Sequence, residues 1–227
     1  MDLISIRKEI TITFLSRQTA CAVAKDNYTS FCYPKRIKLM RFRTRRFRVK
    51  DFGHFMTMHT KTPFGMELLT VSFMPGEGKS VPYLLIDIMT VGKKRTVFVE
   101  YYDCTSDHNE MSELVKVRDS YNKLNEYKEK PHWYVGERAP YSLIKCGSCS
   151  DDSVLHDMII DSVKAYKCEI EKAEKKEDNL TGLSAFRDRM INEGNPSSSV
   201  LEKVFGKEGA ADFFRSCVMP MDDTGKD

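Results

Sequence analysis

One carboxylate stands where a carboxylate is costly. Asp87 lies within Pro82–Met89, PYLLIDIM, a run of strand length that is otherwise almost wholly apolar. An ionised acid buried without a partner is strongly disfavoured, so such a group is normally paired, protonated or chemically active. Burial raises a carboxyl pKa, and a raised pKa makes Asp87 an acid able to deliver a proton near neutrality. The other reactive types carry weaker signals. His54 and His59 stand five apart in a strand pattern, HFMTMH, and therefore face opposite sides, which argues against a shared metal. Cys146-Gly-Ser-Cys149 fits a dithiol pair or half a zinc site, but no second pair has ligand spacing, and two unremarkable thiols are the simpler reading. There is no glycine-rich phosphate loop.

The elements that must position Asp87 are three consecutive strands. Met66–Met74 ends at Pro75 and a Gly76–Gly78 turn, Pro82–Met89 ends at Gly92, and Arg95–Tyr102 is rich in β-branched and aromatic residues. A continuous apolar run between turn signals marks the middle strand as buried on both faces. Before them, residues 3–25 are open between helix and strand; the β-branched run Ile10–Thr13 leans to strand and the later alanine-rich part to helix. Asn27–Pro34 reads as a loop. After them, Asp107 and Glu110 have capping-box spacing, followed by a helical stripe of Met111, Leu114, Val117, Tyr121 and Leu124 that ends at Lys130-Pro131. Trp133–Lys145 reads as extended, Val154–Lys176 as an amphipathic helix and Leu183–Ile191 as a short one. Asn195-Pro196 supplies a favoured N-cap and a favoured first helical residue for a last helix that Gly206 stops, with a second piece over Glu208–Cys217. Strands first with helices around them predict an α+β or sandwich arrangement.

Composition narrows the setting. The 227 residues suffice for one domain with a sizeable core, and no apolar run approaches the ~20 residues of a membrane span. No secretory signal is evident, and seven cysteines at irregular spacing point to a reducing cytoplasm. Nine Lys/Arg and no acid fall between Lys35 and Lys50, whereas the rest of the chain carries 27 basic and 33 acidic residues. The segment, KRIKLMRFRTRRFRVK, alternates like a strand pair or an extended edge with Ile37, Leu39, Phe42 and Phe47 as apolar anchors. It is open between a solvated positive sheet face, an anion site, a nucleic-acid patch and a dock for an acidic protein. No helix-turn-helix, zinc-finger or RNA-motif signature accompanies it, so a nucleic-acid reading rests on this segment alone.

Two stretches carry a resemblance. SVLEKVFGKEGAADFFRSCVMP, Ser199–Pro220, resembles the C-terminal signature of ferredoxin-dependent bilin reductases, in which a helix ends in a Phe-Gly turn before an acidic and aromatic run. TVSFMPGEGKSVPYLLIDIM, Thr70–Met89, resembles the family's central strand pair, with the spacing from Thr70 to Asp87 preserved. Trp133–Lys145 is similar to the segment before the family's long helix, and Val97–Lys145 is also similar to red chlorophyll catabolite reductase, a divergent relative. The resemblance spans roughly residues 45–220 and leaves the first 45 unmatched.

The resemblance implies a single domain built as a three-layer α/β/α sandwich around a central antiparallel sheet, with a linear tetrapyrrole such as biliverdin between sheet and helices. It implies no bound metal or organic cofactor, electrons delivered singly by reduced ferredoxin, and Asp87 as the proton donor at the pyrrole nitrogens. Thr70 stands where the phycocyanobilin-forming members have histidine and others asparagine, which speaks against a histidine-assisted four-electron reduction. Asn195 stands where many members have a second aspartate, so it can hydrogen-bond a lactam but not act as an acid. Thr70 and Asn195 are thus expected as polar pocket contacts, and Lys145 as an anchor for a bilin propionate, with Arg138 a further one. Arg41, Arg43, Arg45, Arg46 and Arg48 are expected to hold a propionate or to meet an acidic ferredoxin. A protein that binds a tetrapyrrole without reducing it is the alternative on the same fold.

Overall fold

The computed structural model describes residues 1–104, 111–173, 180–195 and 197–221. The capping pair expected at Asp107 and Glu110, and Pro196, lie outside these. Five strands form an uninterrupted antiparallel meander: β3 (Met40–Val49), β4 (Gly53–Lys61), β5 (Met66–Pro75), β6 (Tyr83–Val91) and β7 (Lys94–Tyr102). β8 (Leu143–Ser148) pairs outside β7, and two short strands, β1 (Ala20–Ala22) and β2 (Ser30–Tyr33), share the outer edge of β3. The expected loop at Asn27–Pro34 therefore contains a strand. Its polar residues read as a turn, but Phe31 stacks on Phe42 across the pairing, with ring centroids 4.5 Å apart.

Helices cover both faces, giving the α/β/α sandwich. On one side lie α1 (Leu3–Leu15), α2 (Ser112–Ser120) and α3 (Asp152–Lys172); on the other lie α4 (Leu180–Asn192) and α5 (Ser198–Phe213). The strands separate two cores, because alternate side chains point to opposite faces. In β6, Leu84, Ile86 and Ile88 enter the α1/α3 core, while Tyr83 and Leu85 enter the α4/α5 core. Asp87 shares the phase of Tyr83 and Leu85. The stripe Leu155, Ile159, Val163, Tyr166 and Ile170 on α3 is buried throughout, as its period predicts.

Three further expectations fail. The β-branched segment Ile10–Thr13 is helical, not extended. Asp2 caps α1 by accepting the Ile4 amide at 2.9 Å and the Ser5 hydroxyl at 2.6 Å, and Leu3, Ile6, Ile10 and Phe14 bury one stripe. Phe14 meets Phe52, Phe55 and Phe73 at 4.7–5.1 Å between centroids, so tertiary packing overrides β propensity. A strand would put Ile10 and Ile12 on one face; the helix buries Ile10 completely and leaves Ile12 70% exposed. Chemical denaturation should therefore show Ile10→Val costing roughly 0.5–1.5 kcal/mol and Ile12→Ala staying within about 0.5 kcal/mol of wild type. Equal losses at both positions would sink the helical assignment. The second failure is α2, which stops at Ser120, and the chain beyond Tyr121 runs outside the sheet edge, where Glu126 bridges to Lys145. The third is Trp133–Glu137, a 3-10 turn where extended chain was expected.

Gly206, at φ 76° and ψ 172°, breaks α5 into two pieces, as the sequence predicts. The second piece continues into a π-helical turn, Phe214–Val218, whose Val218 carbonyl accepts the Ser72 hydroxyl of β5 at 2.5 Å. That bond ties the C-terminal helix to the strand bearing Thr70. Among the described residues, no helix is long and apolar enough to cross a membrane.

Candidate active site

Thr70 on β5 and Asp87 on β6 are directly opposite in register, with Phe98 of β7 on the far side of Asp87. The Thr70 hydroxyl donates to the Asp87 carboxylate at 2.5 Å. Burial pushes the Asp87 carboxyl up to about 6, while the Thr70 hydrogen bond pulls it down. Asp87 is thus a poised acid, with a pKa raised towards neutrality. Replacing Thr70 by valine keeps the shape and removes the donor to the ionised form, so the Asp87 pKa should rise above that value. Titrating the carboxyl C=O infrared band would show it; an unchanged or lower pKa would remove Thr70 from this role.

Asp87 opens into a cavity of about 360 Å³, within the roughly 300–1,000 Å³ common for small-molecule sites. Leu68, Met89, Phe98, Tyr127 and Tyr134 give it an apolar and aromatic lining, and Glu100, Glu129, Lys130, His132, Arg138 and Ser197 supply polar groups. Its outer wall is the chain between α2 and β8. Tyr127 packs edge-on against Phe98 at 5.5 Å, and the His132 and Tyr134 rings stack at 5.2 Å. The wall is fastened to the α4–α5 turn by Trp133, whose indole donates to the Gly194 carbonyl at 2.9 Å beneath the Arg189 guanidinium. A narrow cleft continues past Asp87 and Ser197 towards Thr70, Asn195, Leu201 and Phe214.

The expected site residues part company here. Thr70, Asp87 and Asn195 come together at the cleft, and Arg138 reaches the cavity. The Asn195 carboxamide is engaged locally: it donates to the Met190 carbonyl at 3.0 Å and accepts the Ser197 amide at 3.0 Å. It therefore holds the turn that enters α5, and Ser197, not Asn195, is the N-cap residue. Arg138 is buried and bridges Glu100, at 2.6 Å through Nε, and Glu129, at 3.0 Å.

Lys145 is a correction. Its register partner on β7 is Val97, which belongs to the α1/α3 core, so Lys145 points away from Asp87. It is buried there, bonded to Glu126 and to the Leu124 carbonyl at 3.3 Å, and does not line the cavity. Exposed Lys130, at the cavity wall, is the cation placed for an acidic substituent, with the His132 ring as a further polar group there. The five arginines of β3 do not form one surface either. Arg46 faces the α5 side, where it holds Asp26 at 2.6 Å and meets the Cys217 sulfur at 3.5 Å; Arg48 shares its phase. Arg41, Arg43 and Arg45 alternate with Phe42 and Thr44 and face the α1 side.

Glu100 is the residue that the sequence reading missed. On β7 it shares the phase of Phe98 and Tyr102 and so faces the cavity beside Asp87. Arg138 and the Tyr102 hydroxyl, at 2.9 Å, donate to it. Burial raises the Glu100 carboxyl to about 7 against the pull of the Arg138 guanidinium. An acid in VFVEYY, two residues from an aromatic on either side, was the available signal. His54 and His59 do lie on opposite faces, Cys146 and Cys149 are free thiols, and no group of metal-ligating side chains occurs among the described residues.

No protein-family model matches the chain, and no curated protein matches it in sequence. Among solved structures the chain is similar to phytochromobilin synthase from tomato, crystallised in complex with biliverdin, with a TM-score of 0.78. The match covers 92% of this chain and 80% of that one at 15% sequence identity. At that identity the likeness is one of fold.

Proposed function

We infer that this protein binds a linear tetrapyrrole of the biliverdin type in the cavity above Asp87 and reduces it by proton-coupled single-electron transfers. The observation that carries the reading is the placement of a poised acid, Asp87, at the base of a largely apolar and aromatic cavity. The shared fold with a biliverdin-bound enzyme supports it. A bilin suits such a space because its conjugated system is flat and apolar, its propionates need cations at the rim, and its pyrrole nitrogens need a polar group at the base. Lys130 meets the second need, with His132 beside it as a hydrogen-bonding group, and Asp87 the third.

In this reading an acidic ferredoxin-type protein supplies the electrons, and no resident metal or organic cofactor takes part. Each electron leaves extra negative charge on the tetrapyrrole, which raises its proton affinity. The Asp87 O–H bond then breaks as an N–H or C–H bond forms on the substrate, and water or a neighbouring acid reprotonates the carboxylate. Adding two electrons and two protons saturates one double bond. Glu100 is paired with Arg138, so it adds little net negative charge beside Asp87, and the Asp87 proton is held by burial of the carboxyl.

The test is to mix the protein with biliverdin anaerobically, record the visible spectrum, and add reduced ferredoxin. Binding followed by a stepwise blue shift supports the reductase. A bound spectrum that never changes favours a non-catalytic tetrapyrrole carrier, the reading to which the non-titratable Thr70 and Asn195 lend weight. Absence of binding overturns both.

A further inference from the structure

We propose that the sheet face opposite the tetrapyrrole cavity carries a site for a phosphate-class oxyanion, formed by Arg7 of α1, Arg43 and Arg45 of β3 and the hydroxyl of Thr57 on β4. Arg43 and Arg45 are two residues apart on one strand, so their side chains rise from the same face about 7 Å apart. Arg7 is only 9% exposed and sits within the field of both. Among the described residues no acid pairs with any of the three guanidiniums. Glu67, on this side of the sheet, is taken by His59 at 3.0 Å and Lys61 at 2.8 Å. Thr57 is opposite Arg45 in register, 1% exposed, and its hydroxyl has no hydrogen-bond partner.

Two independent anomalies thus coincide. A buried cation normally has a counter-charge and a buried hydroxyl normally has an acceptor, and here neither does. A single oxyanion supplies both. A phosphate dianion offers enough oxygens for three guanidiniums and a hydroxyl and cancels most of their mutual repulsion. A carboxylate offers two oxygens and one charge, enough for a single bidentate partner. Arg46 and Arg48, on the other face, take no part, so this site is independent of the tetrapyrrole reading.

The experiment is calorimetric titration of the full chain with inorganic phosphate at fixed ionic strength, with thermal melts alongside. Wild type should bind saturably and gain melting temperature. Arg45→Gln, at an exposed strand position, should weaken binding at least about tenfold, and Arg7→Met should abolish it. Both variants should melt higher than wild type in phosphate-free buffer at low ionic strength, because each relieves like-charge repulsion. Arg48→Gln should bind as wild type does. The proposal is overturned if phosphate acts no differently from chloride, or if Arg48→Gln weakens binding as much as Arg45→Gln. It is overturned too if acetate binds as tightly, which would make the cluster a contact for acidic side chains.

Discussion

Asp87→Asn should bind biliverdin within a few-fold of wild type and reduce it more slowly by roughly 10²–10⁴, the usual worth of a positioned general acid. The amide keeps the size of the carboxyl and its contact with the Thr70 hydroxyl, but has no acidic proton to give. Electron transfer itself does not need that proton, so a one-electron-reduced, coloured bilin species should accumulate. Stopped-flow absorbance under anaerobic conditions reads both effects. Wild-type turnover in this variant would remove Asp87 from the chemistry.

The same substitution has a stability signature with a defined sign. The folded-state pKa of Asp87, about 6, lies above the ordinary aspartate value of 3.8, so the folded protein holds this proton more tightly than the unfolded chain does. Wild-type stability should therefore fall as pH rises through that window, by at most ~3 kcal/mol at about 1.4 kcal/mol per pKa unit. Asp87→Asn lacks this loss and should gain on wild type between pH 4 and 6 and stay ahead above it. Urea denaturation at stepped pH measures the difference; a constant offset across the range would mean that Asp87 is not desolvated.

The second large effect belongs to Arg138. Removing its guanidinium strands Glu100, and breaking a buried pair from one side typically costs ~3–5 kcal/mol. Arg138→Met should accordingly unfold at markedly lower denaturant. Adding Glu100→Gln to it should recover most of the loss, since a buried amide has no charge to compensate. If the double variant is no better than the single one, the cost lies in packing against Tyr134 and not in the orphaned charge.

The strands around Asp87 were legible because their signals are local: an apolar run, turn glycines and prolines, and an acid out of place. The helix at residues 3–15 was not, because Ile10, Thr11, Ile12 and Thr13 favour a strand by themselves and only the distant aromatic partners of Phe14 decide otherwise. Lys145 shows how a strand position misleads. A shift of one residue carries a side chain from one face to the other, and nothing in Leu143–Ser148 states which face looks into the cavity. Glu100 and Arg138 were each visible, yet their pairing joins two segments 38 residues apart, and sequence alone does not announce such a meeting. The acid was readable; the wall around it was not.

The unbroken meander from β3 to β7 also sets an order of events. Each of these strands pairs with its immediate predecessor across a short connection, so the entropy lost on closing each hairpin is small. Thr70 and Asp87 belong to one such hairpin, 17 residues apart. The segments that enclose them, the wall around Tyr127 and Tyr134 and the helices α4 and α5, must instead find the sheet over long sequence separations, which is the slower kind of contact to form. During folding, the Thr70–Asp87 pair should be assembled while the chamber is still open, so that a ligand present at that stage is gathered in by the closing helices instead of threading into a finished protein.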